Sequence, residues 1–192
     1  MDAEIDGTPL LHLPVLRLAE ITHEVVVVVA PDAPEPAFPP GLAVRIVRDA
    51  QEGEGPLAGL LVGLSAATTE FALVAGGDMP GLVTGVLIEM LGVAAVAPVG
   101  AVALQDGERF RPLPVVVRTA EARTVAHDLL HTGERRLRSL LDALRVAVID
   151  EPTWHALDPD RATLRDVDVP ADLPPSAASD LPPGGAARPH LG

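Results

Sequence analysis

Two aspartates stand at the carboxyl ends of predicted strands, where the chain could hold a metal ion and a nucleotide. Asp78 follows the run F-A-L-V-A-G-G, and Asp49 follows a shorter apolar run that ends at Arg48. In doubly wound α/β folds, ligands bind outside the carboxyl ends of the parallel strands. Mg²⁺ keeps several waters and takes one or two carboxylates besides substrate phosphates. Asp78 is therefore a candidate metal ligand, and Asp49 a candidate acceptor for a ribose or a base.

Each aspartate also has a purely structural explanation. An aspartate after a strand often caps the next helix, which would account for Asp78. Asp49 could form an Asx turn where its strand ends. The residue types alone leave both explanations open.

A glycine-rich segment lies between the two aspartates. Gly53, Gly55 and Gly59 would let the backbone pass close to a ligand, and Pro56 suits the first turn of the helix that follows. Pro56 removes one N–H donor from that helix end, and the spacing matches neither G-x-G-x-x-G nor a P-loop. The segment therefore favours a tight turn that shapes a base pocket over a phosphate cradle.

The other polar clusters are less specific. Arg135, Arg136 and Arg138 could meet phosphates, although such clusters are more often a solvated helix face. His127 and His131 are four residues apart but lack the glutamate of the zinc motif H-E-x-x-H. No G-x-S-x-G nucleophile motif is present.

The elements that would position these residues alternate between strand and helix. We predict a hairpin within residues 101–118 that turns at Asp106 and Gly107. This alternation predicts a three-layer α/β fold with a mainly parallel sheet over residues 1–173, followed by a disordered tail over 174–192 that is rich in Pro, Gly and Ala. The other predicted strands are 24–30, 43–47, 71–75, 93–98 and 145–150, the helices are 8–21, 56–67, 83–91, 120–131 and 134–144, and a short closing element covers 163–173.

Composition excludes several classes of protein. A length of 192 residues suits one domain, and with 48% hydrophobic but only 2% aromatic residues the core must use Val, Leu, Ala and Ile. The net charge of −13, with no lysine, argues against a nucleic-acid groove. Without cysteine there are no disulfides or thiolate metal sites. No apolar run reaches a membrane span and the acidic N-terminus lacks signal-peptide features, so we expect a cytoplasmic location.

Six segments in this order resemble the molybdenum cofactor guanylyltransferases, nucleotidyltransferases with a three-layer Rossmann-like fold. The resemblance implies transfer of GMP from GTP to molybdopterin with release of pyrophosphate, aided by Mg²⁺. It also implies molybdoenzymes or cofactor-insertion proteins as partners. The segments are D-G-T-P-L-L at 6–11, D-A-Q-E-G-E-G-P-L-A-G-L at 49–60, G-D-M-P at 77–80, R-P-L-P-V-V-V-R at 111–118, T-G-E-R-R-L-R-S-L-L at 132–141 and D-V-D-V-P-A-D-L at 166–173.

The resemblance implies roles for individual residues. Asp78 matches the carboxylate that binds Mg²⁺ and positions the phosphates, which makes it the catalytic candidate. Asp49 matches a carboxylate that contributes to GTP binding, and Gly55 and Pro56 open the G-P-L-A-G-L stretch typical of the guanylyl branch. Asp168 matches an asparagine of the closing motif N-x-N-T-P-E-D-L.

Two departures from the family pattern bear on activity. Both asparagines of the closing motif are aspartates here, Asp166 and Asp168. Family members also begin with a strand and a loop G-G-x-S-x-R-M-G-x-D-K-A, of which only the final alanine has a counterpart, Ala3. We favour a late start over a truly shortened chain. Because that strand is normally central, its loss should open a slot in the core, and residues 1–192 should be weakly active or inactive.

Two alternatives to the guanylyl assignment stay open. The chain could be a non-catalytic remnant or a nucleotide-binding partner protein that kept the scaffold. It could also be a nucleotidyltransferase that uses CTP or another acceptor, since base specificity lies partly in loops.

Overall fold

The computed structural model describes residues 4–5, 7–49 and 55–167 of the chain. The strands are β1 (Glu4–Ile5), β2 (Thr8–Pro9), β3 (Val25–Val29), β4 (Val44–Arg48), β5 (Phe71–Val74), β6 (Ala101–Asp106), β7 (Arg109–Arg118) and β8 (Val146–Ile149). The helices are α1 (His12–Ala19), α2 (Pro56–Ala66), α3 (Thr84–Val96), α4 (Thr119–His131), α5 (Leu137–Ala143) and α6 (Glu151–Leu157), with a 3₁₀ turn at Ala162–Leu164. None of the helices in the described ranges is long and apolar enough to cross a membrane.

The strands form two larger ladders and a minor one. In the first, β3 pairs with β4 in parallel. The second has the order β5-β7-β6-β8, in which β7 runs antiparallel to both of its neighbours and β8 is parallel to β6. The short strands β1 and β2 pair with each other ahead of α1. The fold is thus mixed α/β, with β7 as the reversed strand of its ladder.

Helices cover both faces of the β5-β7-β6-β8 ladder, as a three-layer fold requires. On one face, α3 and α6 pack against Val102, Leu104 and Val116. On the other face, α2, α4 and α5 pack against Ala101, Val115 and Val117. The alternation along β6 and β7 follows the two-residue repeat of a strand, so the Val, Leu and Ala of these strands serve both layers.

One predicted strand is wrong. The sequence predicts a strand over residues 93–98, but α3 continues through Val96. The reason is the helical spacing of Val86, Met90 and Ala94, which all lie on the buried face of α3. An apolar run of this kind fits a buried helix as well as a buried strand, and here the four-residue period decides.

The helix predicted over residues 8–21 is shorter, because α1 begins at His12 and Pro14 lies within its first turn, where proline is tolerated. The sequence also left α6 unassigned. Its start carries the usual signals: Asp150 accepts a hydrogen bond from the Thr153 N–H at 3.0 Å, and Pro152 lies in the first turn. The hairpin that turns at Asp106 and Gly107 is confirmed.

Candidate active site

Asp78 lies in the loop that connects β5 to α3, at the carboxyl end of β5. The neighbouring Met79 anchors this loop, because its side chain is 1% exposed and its sulfur accepts the Gly76 N–H at 3.3 Å. A Cβ atom on Gly76 would overlap Oδ1 of Asp78, so only glycine leaves room for the carboxylate in this orientation. The first glycine of the Gly76–Gly77 pair is thus required by the Asp78 side chain that packs against it.

The Asp78 carboxylate suits a metal ion that is shared with a substrate. It is half-buried and has no hydrogen-bond or ion-pair partner within the described ranges. Those ranges also contain no group of three or more His, Cys, Asp or Glu side chains able to hold a metal by themselves. A single available carboxylate fits Mg²⁺, which completes its shell with waters and phosphate oxygens.

The segment after α6 clamps the Asp78 loop from its other end. The Val167 N–H donates to the backbone carbonyl of Asp78 at 2.9 Å, and the Val83 N–H donates to Thr163 Oγ1 at 3.1 Å. Between these bonds, Gly81 lies against the backbone of Ala162, whose carbonyl carbon is 2.9 Å from the position of a Cβ on Gly81. We call residues 158–167 the closing segment. Its contacts hold the Asp78 loop in place.

A buried carboxylate organises the closing segment. Asp158 is 3% exposed and accepts the backbone N–H groups of Ala162 at 3.0 Å and Thr163 at 2.7 Å. These bonds cap the 3₁₀ turn and orient Thr163 toward Val83. Asp158 therefore supports the Asp78 loop indirectly, through Thr163. The sequence did not reveal this role.

Arginines attach the closing segment to the β6–β7 hairpin. Arg111 on β7 donates to Asp166 at 3.0 Å and to the Leu164 carbonyl at 3.2 Å. Arg161 bridges Asp106 and Glu151, and its hydrogen bond lowers the pKa of the Glu151 carboxyl below the usual value. Asp166 is thus paired with Arg111, and it directly precedes Val167 in the chain. Asp168, the predicted nucleotide ligand, lies outside the described residues.

Asp49 lies at the same edge but beside another helix. Its N–H extends the ladder by donating to the Val29 carbonyl at 2.9 Å. Its Oδ2 is 3.9 Å from the position of a Cβ on Gly59, in the first turns of α2. Because β4 and β5 belong to different ladders, Asp49 and Asp78 follow non-adjacent strands and can serve different parts of one extended ligand.

The start of α2 is held by the turn before α5. Leu57 donates its N–H to the Arg135 carbonyl at 3.2 Å, and Gly55 adopts φ +84° against the same residue. The Arg136 side chain and the backbone N–H groups of Arg136 and Arg135 donate to Glu134, and they hold the pKa of its carboxyl well below the usual range. We call residues 134–136 the support turn. It fixes Gly55 and Pro56, where the glycine-rich segment ends.

Each arginine of the predicted phosphate cluster makes contacts within the protein. Arg135 donates to the carbonyls of Leu130 and Glu134, and Arg136 pairs with Glu134. Arg138 lies over the Phe110 ring. His127 and His131 are in edge contact on the exposed face of α4, at 4.7 Å between centroids.

Replacing Gly55 with alanine tests whether the support turn shapes the region at the start of α2, beside Asp49. An alanine must adopt a positive φ, and its Cβ would lie 3.1 Å from the Arg135 Cβ and 3.2 Å from its carbonyl oxygen. We expect a loss of stability of about 2 kcal/mol together with weaker GTP binding, measured by urea unfolding and by titration calorimetry.

Gly133→Ala is the matched control for this prediction. Gly133 also has a positive φ, +87°, but no atom lies within 4 Å of its Cβ position. The control should lose only about 1 kcal/mol through backbone strain and should leave the GTP affinity within twofold. Equal effects of the two variants would show that the contact with Arg135 does not matter.

A family model and several relatives match this chain. The family model of the MobA-like NTP transferase domain matches residues 2–148. A probable molybdenum cofactor guanylyltransferase of Chloroflexus aggregans is 33% identical over 141 residues, which cover 70% of this chain and 64% of that protein. One from Mycobacterium marinum is 33% identical over 138 residues, with the same coverage of 70% and 64%. The chain thus matches less than two thirds of the length of these relatives.

Two solved structures show the same fold at low identity. Molybdopterin-guanine dinucleotide biosynthesis protein A of Archaeoglobus fulgidus has a TM-score of 0.71 and 17% identity, and the match covers 89% of this chain and 85% of that one. A 2-C-methyl-D-erythritol 4-phosphate cytidylyltransferase of Thermus thermophilus has a TM-score of 0.66 and 21% identity, with coverages of 88% and 87%. By its matching family model, which spans more than half of the sequence, this chain belongs to the family of MobA-like NTP transferase domains.

Proposed function

We propose that the chain acts in nucleotidyl transfer, joining the GMP moiety of GTP to the phosphate of molybdopterin. The observation that carries the proposal is the available Asp78 carboxylate, clamped at the carboxyl edge of the sheet by the closing segment. The curated relatives named as probable molybdenum cofactor guanylyltransferases support the choice of nucleotide and acceptor.

In this proposal an oxygen of the molybdopterin phosphate attacks the α-phosphorus of GTP. The bond from that phosphorus to the bridging oxygen breaks, and pyrophosphate leaves with the electron pair. Mg²⁺, when bound with the nucleotide, neutralises charge on the phosphates. Asp78 holds the metal and the phosphates in place, while Asp49, Gly55 and Pro56 define the region for the ribose and base. The Asp49–Asp78 separation suits an extended nucleotide with its base near α2.

The test is a transfer assay with residues 1–192, GTP, molybdopterin and Mg²⁺. We expect formation of the dinucleotide with an equal amount of pyrophosphate, and no product once the metal is chelated. CTP in a parallel reaction tests base choice, and a preference for CTP would overturn the guanylyl assignment.

One observation favours a second candidate, a nucleotide-binding protein without catalysis. The arginines that the described contacts place near this edge are engaged: Arg48 donates to the carbonyls of Ala30, Pro31 and Ala33, and Arg111 binds Asp166. Triphosphate charge would then have to be met by the metal and by backbone N–H groups. Tight GTP binding without any product would establish this candidate, and absence of both binding and product would contradict both functions.

A further inference from the structure

Two exposed histidines lie side by side on α4. His127 and His131 are four residues apart, so they occupy one face of the helix on successive turns. Their ring centroids are 4.7 Å apart. Neutral imidazole is the commonest metal ligand in proteins, and the zinc motif H-E-x-x-H uses two histidines at this spacing on one helix face. The pair is therefore a candidate chelate for one metal ion.

The separation of the two rings fits a shared ion. A metal–nitrogen bond of about 2.1 Å places a ring centroid roughly 3.2 Å from the metal. Two such rings at a ligand angle of about 90–110° have centroids roughly 4.5–5.2 Å apart. The observed 4.7 Å lies within this range, and an angle of 68° between the ring planes excludes face-to-face stacking. The backbone of α4 therefore already holds the rings at the spacing that a chelated ion requires.

Asp128 prepares His127 for metal binding. Its Oδ1 lies 3.4 Å from His127 Nδ1, and because a carboxylate only accepts hydrogen bonds, the proton of the neutral ring is on Nδ1. The lone pair is then on Nε2. A carboxylate bonded to the second ring nitrogen is the arrangement that orients metal-binding histidines. Among the residues that the structure describes, none hydrogen-bonds to Nε2 of His127 or to either ring nitrogen of His131.

The pair is open to solvent, and its surroundings favour a cation. The His127 side chain is 59% exposed, and His131 is exposed as well. An ion can therefore enter without displacing a protein contact. The Asp128 carboxylate lies beside the pair, and the last turn of α4 contributes the negative end of the helix dipole. Arg123, exposed one turn earlier, opposes these two contributions with one positive charge.

Helix α4 gives the pair a fixed base. The opposite face of the helix is buried at Ala122 and Ala126, which are both 0% exposed. Its last turn is closed by Thr132, whose N–H and hydroxyl both donate to the Leu129 carbonyl, at 3.1 and 2.8 Å. His131 is therefore not on a frayed helix end. Since the backbone under both histidines is already ordered, ion binding loses little conformational entropy.

We propose that His127 and His131 chelate one divalent transition-metal ion per chain through their Nε2 atoms, with water in the remaining coordination positions. The donor atoms select the ion, because two imidazoles favour Cu²⁺, Ni²⁺ and Zn²⁺ over Mn²⁺ and Mg²⁺. The Asp78 carboxylate, an oxygen donor, suits Mg²⁺ instead. This inference does not depend on which nucleotide or acceptor the chain uses.

Calorimetric titration of the full chain with zinc chloride tests the proposal. We expect one ion per chain. His127→Ala and His131→Ala should each weaken the affinity at least about tenfold, because a second ligand on the same helix acts at high effective concentration. Asp128→Asn keeps both ligands and should weaken the affinity severalfold. His155→Ala is the matched control, since His155 is exposed on α6 without a second histidine, and its loss should change the affinity by less than about twofold.

Nuclear magnetic resonance of the imidazole nitrogens identifies the ligand atoms. On saturation with Zn²⁺, the Nε2 resonances of both His127 and His131 should shift, while Nδ1 of His127 should remain protonated. The Thr132 amide, in the turn that the ion would tie together, should exchange roughly threefold more slowly with Zn²⁺. This slowing should be lost in each histidine variant, whose circular dichroism checks that α4 is intact.

Several outcomes would overturn the proposal. Unchanged zinc affinity in the double variant His127→Ala/His131→Ala would place the ion elsewhere. A nitrogen shift at one histidine alone would reduce the site to a single ligand. One ion per two chains, with a zinc-dependent doubling of the mass in sedimentation, would mean that the ion joins two copies and is not chelated within one helix. Absence of binding at millimolar Zn²⁺ would exclude the site.

Discussion

Asp78→Asn should abolish most nucleotidyl transfer while leaving the fold intact. Loss of a metal-binding carboxylate removes several kcal/mol of transition-state stabilisation, so we expect the rate of pyrophosphate release to fall about 10³-fold. The melting temperature should stay within about two degrees, because the Asp78 carboxylate has no protein partner among the described residues whose loss would destabilise them.

Asp142→Asn is the matched control for this result. Asp142 is an exposed aspartate on α5, away from the Asp78 loop, and its replacement removes the same charge. It should leave the rate within twofold. If Asp78→Asn retained a tenth or more of the rate, the metal would have to be held by other ligands.

Gly81→Ala should destabilise the domain, because the added methyl group has no room beside Ala162. Its Cβ would overlap the Ala162 carbonyl oxygen and lie 2.9 Å from the carbonyl carbon, and neither backbone can give way without breaking the Val83–Thr163 bond. Overpacking against backbone costs about 2 kcal/mol, which for a domain of this size lowers the melting temperature by roughly 4–8 °C. Differential scanning calorimetry measures this shift.

Gly92→Ala adds the same methyl group but should raise the stability. Gly92 lies within α3, and no atom is within 4 Å of its Cβ position. Alanine should therefore stabilise the helix by about 0.5–1 kcal/mol. If Gly81→Ala were as stable as the native chain, the closing segment would not be clamped to the Asp78 loop as described.

Much of the fold could be predicted from sequence because its patterns are local. The five valines of β3, the apolar run of β5 that ends shortly before Gly76 and Gly77, and the turn at Gly107 are each specified within a few residues. The continuation of α3 through Val96 could not be predicted in this way, since its apolar run suits either structure until the core selects a helical face.

The residues of the candidate site also differ in whether local sequence patterns identify them. Asp78 and Asp49 were accessible to sequence reasoning because each follows a strand end. The supporting residues were not: Asp158, Thr163 and Arg111 act through contacts with residues far away in the chain. The only sequence signal for Arg111 was its place in the matching R-P-L-P segment.

The interrupted sheet shows what sequence comparison and structure each contribute. The comparison with the family led to the expectation of a slot. In the described ranges, β3 pairs with β4 alone and β5 with β7 alone, so the two ladders are not joined by backbone hydrogen bonds. Which strands pair depends on residues far apart in the chain, which no local side-chain pattern encodes.

The central claim is that Asp78 holds the metal that accompanies the nucleotide, and paramagnetic relaxation with Mn²⁺ and GTP tests it most directly. Because Mn²⁺ broadens nearby amide resonances, the measurement does not require turnover. We predict selective broadening of Gly76, Gly77, Met79 and Val167, which is lost in Asp78→Asn and kept in Asp142→Asn. Broadening that persists in Asp78→Asn, or that centres on His127 and His131, would contradict the account.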